Sequence, residues 1–306
     1  MASEQTIAVI IPCYNEAGTI QNVVSAFARV LPEAIIYVYD NASSDETAAI
    51  ASVAGAQVRQ VSRRGKGNVV KAMFRDINAD LYVMADGDDT YPADSARQMI
   101  EQALLHEADM VVGNRMPSYQ NSQSRSGHFG ANRLITKAVN LLFDSDLKDV
   151  LSGYRVLSRR FVKSAPLFSQ GFEVETTLAI HALEVDAKII EIPIEYSARE
   201  AGTTSKLNSY SDGLRITHTI LSLFKDRHPK FIYGGVALLF FLSALILGIP
   251  VTMEYFETSL VPRFPSAILA SALMILAMMS FVTGIIVKAI SKSRREIKKM
   301  TFMTTR

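Results

Sequence analysis

Residues 81–92 read LYVMADGDDTYP, an apolar run that turns directly into three carboxylates. An apolar run of this length, bounded by Gly and Pro, is typical of a buried strand. Carboxylates at the end of such a strand meet the crevice at the edge of an open α/β sheet, where ligands usually bind. Because like charges this close repel one another unless a cation compensates them, we expect Asp86 and Asp88 to hold a divalent metal on a phosphorylated substrate.

Strand-like and helix-like patterns alternate on both sides of this stretch. Strand patterns occupy residues 7–11, ended by Pro12, and residues 34–39, 57–61, 110–112 and 189–194. Helical patterns of roughly 10–15 residues separate most of them. The alternation predicts an α/β fold, Rossmann-like, with a mostly parallel sheet covered on both faces.

The second half of the globular part is less regular. Residues 116–127 are polar and predict a loop, and residues 212–224 predict a helix. Residues 131–143 predict an amphipathic helix whose basic face carries Arg133 and Lys137. Such a face suits a membrane surface or an anionic partner, and it equally suits an ordinary surface helix.

The bulk composition excludes few functions. A net charge of +2 gives no indication of a nucleic-acid partner. A single cysteine, Cys13, excludes an intramolecular disulfide and fits a reducing compartment. The apolar run at residues 7–12 is too short for a secretory signal, so we expect none.

The C-terminal part is strongly apolar. Residues 232–251 and 266–287 carry no charge, and each stretch is long enough to cross roughly 30 Å of hydrocarbon as a helix. We therefore expect a globular domain at 1–227 and, at 228–306, a transmembrane hairpin with a basic tail. A buried helical hairpin in a soluble protein is the alternative, but spans this long are hard to bury in a domain of this size.

Cations flank the two apolar segments and predict their orientation. They are Lys225, Arg227 and Lys230 before the first, and Lys288, Lys292, Arg294, Arg295, Lys298 and Lys299 after the second. The connecting loop has only Arg263 against Glu254 and Glu257. By the positive-inside rule we expect the globular domain to lie in the cytoplasm, and we expect a multi-pass protein of the plasma (inner) membrane.

Polar clusters follow the first two predicted strands, at residues 12–16 and 40–45. In a doubly wound sheet these strand ends lie side by side, so the clusters can line one nucleotide pocket. There Asp40 could accept a hydrogen bond from a base or ribose, and Tyr14 could pack on the ring. Each cluster alone would also fit a capped helix start.

Two further motif interpretations concern anions and metals. The segment RRGKGN, residues 63–68, places cations and glycines before a helix and could cradle an anion, but it is neither a P-loop nor a dinucleotide fingerprint. A calcium loop beginning at Asp86 needs Gly and Glu where Tyr91 and Arg97 stand. Carboxylate oxygens at a strand end instead suit Mg²⁺ or Mn²⁺ bridging a diphosphate.

An ordered set of motifs carries a family resemblance. The set comprises PCYNE (12–16), DNASSD (40–45), GKG (65–67), DGD (86–88), GNR (113–115), SGYR (152–155) and GTTSK (202–206). Together they resemble the family 2 glycosyltransferases of GT-A fold, in the branch of dolichol-phosphate mannose synthase and bacterial polyprenyl-phosphate glycosyltransferases. The resemblance covers roughly residues 6–210, and the hairpin resembles members of that branch with extra membrane helices.

The resemblance implies a membrane-anchored, inverting hexosyltransferase of the EC 2.4.1 type in cell-envelope chemistry. Its donor would be a UDP- or GDP-linked sugar, its acceptor the phosphate of undecaprenol or dolichol, and its cofactor Mg²⁺ or Mn²⁺. A membrane partner and no nucleic acid are expected, and a homo-oligomer is left open. A lipid phosphate is already anionic near pH 7, so alignment and leaving-group stabilisation matter more than a strong base.

The resemblance also implies roles for individual residues. The nucleotide pocket would comprise Pro12, Tyr14, Asn15, Glu16, Asp40 and Lys66. The metal and diphosphate pair would be Asp86 and Asp88, which would act in catalysis with Arg115, Arg199 and Lys206. The acceptor phosphate would meet Arg115, Arg133, Ser152, Arg199 and Lys206. Glu173 and Glu175 could orient sugar hydroxyls or the metal shell, or simply cap a helix.

Two departures leave the base and sugar open: Asn41 stands where the family more often has Asp, and Thr90 where dolichol-phosphate mannose synthases often have Gln. Other functions remain as alternatives. A processive polysaccharide synthase would need a tryptophan-containing acceptor motif, and the chain has no tryptophan. Transfer to a glycan acceptor and an inactive nucleotide-binding membrane scaffold are the remaining two.

Overall fold

The computed structural model describes residues 5–120, 126–165, 174–196 and 228–305. The chain divides into two compact units, one of Met1–Ile216 with Lys298–Arg306 and one of Thr217–Ile297. Arg199 and Lys206, Glu173 and the helix expected at 212–224 lie outside the described residues.

Strands and helices alternate through the first unit and give way to two long helices. The strands are β1 (Ile7–Cys13), β2 (Ile35–Asp40), β3 (Gln57–Gln60), β4 (Leu81–Met84), β5 (Met110–Asn114), β6 (Arg155–Ser158) and β7 (Ile189–Pro193). The helices are α1 (Ile20–Val30), α2 (Thr47–Val53), α3 (Lys66–Asp76), α4 (Ser95–Leu105), α5 (Met116–Gln120), α6 (Ser126–Phe143), α7 (Arg159–Ser164), α8 (Val174–Glu184), α9 (Pro229–Thr258) and α10 (Phe264–Thr304).

The described strands form one seven-stranded sheet in the order β3-β2-β1-β4-β6-β5-β7. All neighbours pair in parallel except β6, which is antiparallel to both β4 and β5. The predicted α/β fold with a mostly parallel sheet is therefore confirmed. Strand β6 was missed, because four residues that follow a glycine-containing motif give too short a pattern to identify.

Strand β1 continues through Pro12 to Cys13, whereas the sequence pattern predicts that it ends at Pro12. Ile10 accepts the N–H of Ala85, beside β4, and Cys13 accepts the N–H of Asn41, beside β2. Alternate residues of a strand present their backbone groups to opposite neighbours, so Pro12 faces the β4 side. Because β4 has already ended at Met84, the missing N–H of Pro12 costs no ladder bond.

The core lies on both faces of the sheet, as the near-continuous apolar pattern of β1 predicts. On one face Val9 and Ile11 pack with apolar residues of α1 and α4. On the other, Ala8 and Ile10 pack with those of α3, α7 and α8. Each fully buried Val or Ile contributes about 1.5–3 kcal/mol, so the sheet is a rigid support for its polar edge.

The predicted loop at 116–127 is wrong over its helical parts. Residues 116–120 form α5, and α6 begins at Ser126. The side chain of Asn114 accepts the N–H of Met116 at 2.9 Å and so caps the helix start, where Pro117 is tolerated because first-turn N–H groups have no helical partner.

The second unit contains α9 and most of α10. Both helices extend beyond the expected spans of 232–251 and 266–287, and α9 is followed by Ser259 in a left-handed conformation. By length and composition both could cross a membrane, and only 17% and 11% of their most apolar stretches are buried. They approach closely, since a Cβ on Gly284 would lie 2.9 Å from Cβ of Tyr233.

Candidate active site

The carboxyl ends of β1, β2 and β4 share an unusual backbone feature. Asn15, Ala42 and Asp89, each shortly after one of these strands, have φ of 54°, 57° and 56°. A left-handed conformation costs a non-glycine residue on the order of 1–3 kcal/mol and is retained mostly where a site requires it. Four other non-glycine residues among those described also have positive φ, so the feature supports a candidate site at this edge together with the polar clusters that lie there.

The loops after β1 and β2 interlock through side chains. The N–H of Asn15 donates to Oγ of Ser43 at 2.9 Å, and Oδ1 of Asn15 accepts the N–H of Ser44 at 2.9 Å. The N–H of Glu16 donates to Oγ1 of Thr47, also at 2.9 Å. The two polar clusters read from the sequence thus form one wall, which we call the β1–β2 edge (residues 12–16 and 40–45).

Asp40 lies in this wall with one carboxylate oxygen unsatisfied. The residue is 2% exposed, and its Oδ2 accepts the N–H of Ser43 at 3.1 Å. Its Oδ1 is buried, and no donor within the described residues reaches it. Leaving a buried acceptor unpaired costs about 1–3 kcal/mol, and more for a charge, so this oxygen is the group of the wall that most needs an added donor.

Pro12 and Tyr14 also lie at the end of β1. The guanidinium carbon of Arg64 is 5.3 Å from the centre of the Tyr14 ring, which is cation–π range. Arg64 belongs to the glycine-rich segment before α3, so that segment and the β1–β2 edge meet. From the sequence, Arg64 was expected only as one of the cations that could cradle an anion, and its contact with Tyr14 was not predicted.

The turn after β4 is pressed against β1. A Cβ on Gly87 would lie 2.6 Å from Sγ of Cys13, and Oγ1 of Thr19 donates to the carbonyl of Gly87 at 2.6 Å. Only glycine fits this approach, which holds the DGD turn in place. Burial raises the pKa of the Cys13 thiol well above its usual value, so this thiol serves as packing.

The two carboxylates of that turn have different surroundings. Oδ1 of Asp88 accepts the hydroxyl of Thr90 at 2.6 Å, which orients the buried side chain. Oδ1 of Asp86 lies 2.5 Å from Nζ of Lys66, and Lys66 lies equally close to Oε1 of Glu175. Thr90, the departure noted in the sequence, thus has a clear structural partner.

Lys66 bridges elements that are remote in sequence. It is the first residue of α3, whereas Asp86 follows β4 and Glu175 lies in the first turn of α8. Burial lowers the pKa of Lys66, but the adjacent carboxylates of Asp86 and Glu175 outweigh it and raise that pKa above its ordinary value. The ammonium is therefore a permanent cation beside Asp86.

A second wall surrounds Arg115 at the end of β5. Asp149 receives the backbone N–H of Arg115 at 3.0 Å, its Nε at 2.8 Å and its Nη2 at 2.9 Å, and Nδ2 of Asn132 at 2.7 Å. We call Arg115, Asn132 and Asp149 the Asp149 cluster. Burial raises the pKa of Asp149, but its hydrogen bonds and the charge of Arg115 lower it overall.

The remaining acceptor-side residues occupy different places. Ser152 is fully buried, and its hydroxyl donates to the carbonyl of Gly113 at 2.6 Å. Arg133 is exposed on α6, next to buried Asn132. The structure therefore brings Arg115 and Ser152 together in one wall and places Arg133 on the surface of the helix that supports it.

A short loop connects the Asp149 cluster with the DGD turn. A Cβ on Gly153 would lie 2.8 Å from Oδ2 of Asp86. The N–H of Gly153 donates to the Tyr91 hydroxyl at 3.0 Å, and Nη1 of Arg115 donates to the same oxygen at 3.4 Å. Tyr91 and Gly153 thus join Asp86 to Arg115, although neither received a role from the sequence.

A mostly parallel sheet with this polar edge agrees with the GT-A class of glycosyltransferase folds. Among solved structures, glucosyl-3-phosphoglycerate synthase of Mycobacterium tuberculosis, in complex with Mn²⁺, UDP-glucose and phosphoglyceric acid, superposes with a TM-score of 0.58 at 22% identity. The match covers 74% of this chain and 80% of that one. At this identity the likeness establishes the fold, as predicted.

The family follows from sequence comparison. The model of glycosyl transferase family 2 matches residues 8–164, and the chain belongs to that family. The glycosyltransferase AglJ of Haloferax volcanii is 32% identical over 267 residues, covering 85% of this chain and 86% of AglJ. The expected glycosyltransferase activity is thereby confirmed.

The branch within the family also agrees with the resemblance read from the motifs. A dolichyl-phosphate hexose transferase of Haloferax volcanii is 25% identical over 218 residues, covering 71% of this chain and 93% of that protein. The relatives of this chain thus include enzymes named for a polyprenyl-phosphate substrate.

Proposed function

We propose that this glycosyltransferase moves a hexose from a UDP- or GDP-linked sugar to the phosphate of a polyprenol, at the cytoplasmic face of the membrane. The observation that carries the proposal is the presence, in one chain, of a GT-A site and two long helices that are apolar and largely unburied. A core helix of a soluble protein would be mostly buried, so these helices favour a lipid environment and a lipid acceptor.

The β1–β2 edge would bind the nucleotide. The unpaired Oδ1 of Asp40 would accept a hydrogen bond from the base or ribose, and Tyr14 with Arg64 would flank the ring. Pro12, Asn15 and Glu16 would shape this wall, and the loop after β2 fixes the backbone of Asn15 and Glu16. Lys66, beside Asp86, would face the diphosphate with a positive charge.

The residues present fit a divalent cation that is completed by its substrate. Among the described residues no group of three or more His, Cys, Asp or Glu could hold a metal by itself. Asp86 and Asp88 supply two hard carboxylates, and Mg²⁺ or Mn²⁺ bound to a nucleotide takes its other ligands from phosphate and water. When bound, the cation would neutralise charge on the departing diphosphate.

The reaction needs one bond formed and one broken at the anomeric carbon. A phosphate oxygen of the polyprenol would attack from the side opposite the nucleoside diphosphate, whose C–O bond breaks, giving inversion. The attacking oxygen carries no proton to remove, so positioning and charge balance supply the catalysis. Arg115, Arg199 and Lys206 would offset repulsion between the anionic substrates, with Ser152 and Arg133 on the acceptor side.

Membrane placement rests on the flanks of the two long helices. Lys230 lies at the start of α9, and Lys288 and Lys292 follow the apolar part of α10. The positive-inside rule assigns these ends to the cytoplasm, and with them the glycosyltransferase domain. Exposed Leu134 and Leu141 of α6, beside Arg133 and Lys137, suit contact with an anionic lipid surface.

A transfer assay tests the proposal. Membranes containing the full chain are supplied with undecaprenyl phosphate and, in turn, radiolabelled UDP-glucose, UDP-N-acetylglucosamine and GDP-mannose. We expect one donor to give a solvent-extractable lipid product that mild acid cleaves, and the same membranes with the Asp88→Asn variant to give none. Absence of a labelled lipid with every common donor contradicts the proposal, and label found in a glycan instead favours the glycan-acceptor alternative.

A further inference from the structure

Asn41 makes more contacts than a loop residue requires. The residue is 5% exposed, and its side-chain Nδ2 donates to the carbonyls of Val61 at 3.0 Å and Arg63 at 2.9 Å. Its Oδ1 accepts the N–H of Gly65 at 2.7 Å. One amide therefore ties the end of β2 to the whole segment that leads into α3.

Only an amide can make this set of bonds. A carboxylate of the same shape at position 41 could accept from Gly65 but would set an oxygen against the two carbonyls that Asn41 now binds. The family's more frequent Asp at this position would therefore be repelled here. The departure noted in the sequence has a physical function in this chain.

The segment held by Asn41 determines the position of Lys66, the first residue of α3. Gly65 has φ of 115°, a conformation open to glycine but strained for other residues, and α3 starts at the next residue. Fixing the N–H of Gly65 fixes the direction from which the Lys66 side chain departs. Its far end is fixed separately, because Nζ lies 2.5 Å from Oε1 of Glu175.

We propose that Asn41 and Glu175 are positioning residues that hold the Lys66 ammonium against Asp86 from two sides, without touching the substrate. The ligand whose binding depends on this arrangement is a nucleoside diphosphate, and in this respect the inference rests on the proposed function. Asn41 fixes the backbone from which the Lys66 side chain extends. Buried Glu175 provides a second ion pair, so the position of the ammonium does not depend on Asp86 alone.

Nucleotide binding gives the first test. The affinities of the purified full chain for UDP and GDP are measured with Mn²⁺ by calorimetry, for the natural protein and for Asn41→Ala and Asn41→Asp. Because several hydrogen bonds of Asn41 are lost, we expect the affinity for the nucleotide to fall by about tenfold or more in both variants. Weakening by Asn41→Asp alone would mean a simple charge effect and would overturn the inference.

The chain offers a matched control. The amide of Asn140 also closes a loop: Nδ2 donates to the carbonyl of Leu147 at 2.8 Å, and Oδ1 accepts from Oγ of Ser145 and the N–H of Leu147. Asn140→Ala removes comparable bonds at another loop, so it should leave nucleotide affinity within about twofold. An equal loss of nucleotide affinity in both alanine variants would mean that Asn41 contributes only to the general stability of the protein, and it would overturn the inference.

Labelling of Lys66 supplies a readout that does not depend on nucleotide. Acetylation of the native protein, followed by mass spectrometry of the Lys66 peptide, should rise about tenfold in Asn41→Ala and in Glu175→Gln, and remain unchanged in Asn140→Ala. If the natural protein binds no nucleoside diphosphate, the proposed function fails. The labelling still tests whether Asn41 and Glu175 position the Lys66 ammonium. Unchanged labelling in both Asn41→Ala and Glu175→Gln overturns the inference.

Discussion

The β1–β2 edge and the Asp149 cluster are two walls of the candidate site, and they differ in how completely their charges are matched. In the first, Asp40 keeps a buried oxygen that no described protein donor reaches, and two residues hold left-handed backbone conformations. In the second, Asp149 receives three hydrogen bonds from Arg115 and one from Asn132.

The difference separates a wall that keeps an unpaired acceptor from a wall whose Arg115 is already anchored by Asp149 before any acceptor phosphate binds. The first wall lacks a donor for Asp40, whereas in the second wall Arg115 and Asn132 already supply the donors for Asp149. Changes in the first wall should therefore reduce binding with little effect on folding. Changes in the second should reduce the free energy of unfolding first and activity as a consequence.

The largest effect is expected at the turn between the walls. Replacing Asp88 with Asn removes one carboxylate of the candidate metal pair, so turnover should fall by about a thousandfold or more. The amide oxygen can still accept the Thr90 hydroxyl, so folding and membrane insertion should persist. Sugar transfer is measured at saturating Mn²⁺ alongside thermal unfolding, and near-normal turnover would remove Asp88 from the site.

The Asp149 cluster should respond through stability. In Asp149→Asn the buried guanidinium of Arg115 loses its counter-charge, which costs about 3–5 kcal/mol of unfolding free energy. The control is Asp146→Asn, because Asp146 is exposed in its pair with Lys148 and should change stability by less than about 0.5 kcal/mol. Similar denaturation midpoints for the two variants would contradict the interpretation of the second wall.

Asp40 should show the opposite behaviour. In Asp40→Asn the amide oxygen can keep the bond from Ser43, and the unpaired Oδ1 has no protein bond to lose. Nucleotide affinity should fall by about tenfold to a hundredfold, whereas the free energy of unfolding should change by less than about 1 kcal/mol. Lower stability with unchanged nucleotide affinity would show that the two walls do not differ as described.

A smaller, pH-dependent effect is expected from the core behind both walls. Burial, with a smaller contribution from Lys298, lowers the pKa of His181 from 6.5 to about 4. Below pH 6.5 the unfolded chain binds a proton that the folded chain does not, so stability falls as pH falls. The loss between pH 6.5 and 5.5 should be about 1 kcal/mol.

Denaturation of the natural protein and of His181→Gln across this pH range checks the prediction. The variant should lose most of this slope and keep its nucleotide affinity, since His181 contacts Ser164 and Phe161 rather than either wall. An unchanged slope would assign the pH dependence to another group, and a changed affinity would extend the site along α8 from Glu175 to His181.

Local patterns predicted most of the fold. The apolar runs of β1, β2 and β4, and the polar residues that follow them, are contiguous in sequence, so they located the sheet and the edge at which we place the candidate site. The ordered motifs added the family. The helical start at Met116 was misread because a cap by Asn114 outweighed a polar, loop-like composition.

The pairings inside the site could not be predicted in the same way. Glu175 meets Lys66, and Asp149 meets Arg115, only after helices and strands from distant parts of the chain come together. No spacing rule connects such partners. Gly153 was visible in a motif, but its closeness to Asp86 depends on the antiparallel turn of β6 back toward β4.

The position of β6 also constrains how the chain can fold while it is being made. Strands β1 to β4 can pair with one another as soon as they leave the ribosome, because each neighbours another of that group. Strand β5 is synthesised next, yet its sheet neighbours are β6 and β7, which are both still to come. Nascent chains that end between residues 115 and 154 therefore hold four strands that can pair and an apolar strand β5 whose sheet neighbours are still missing.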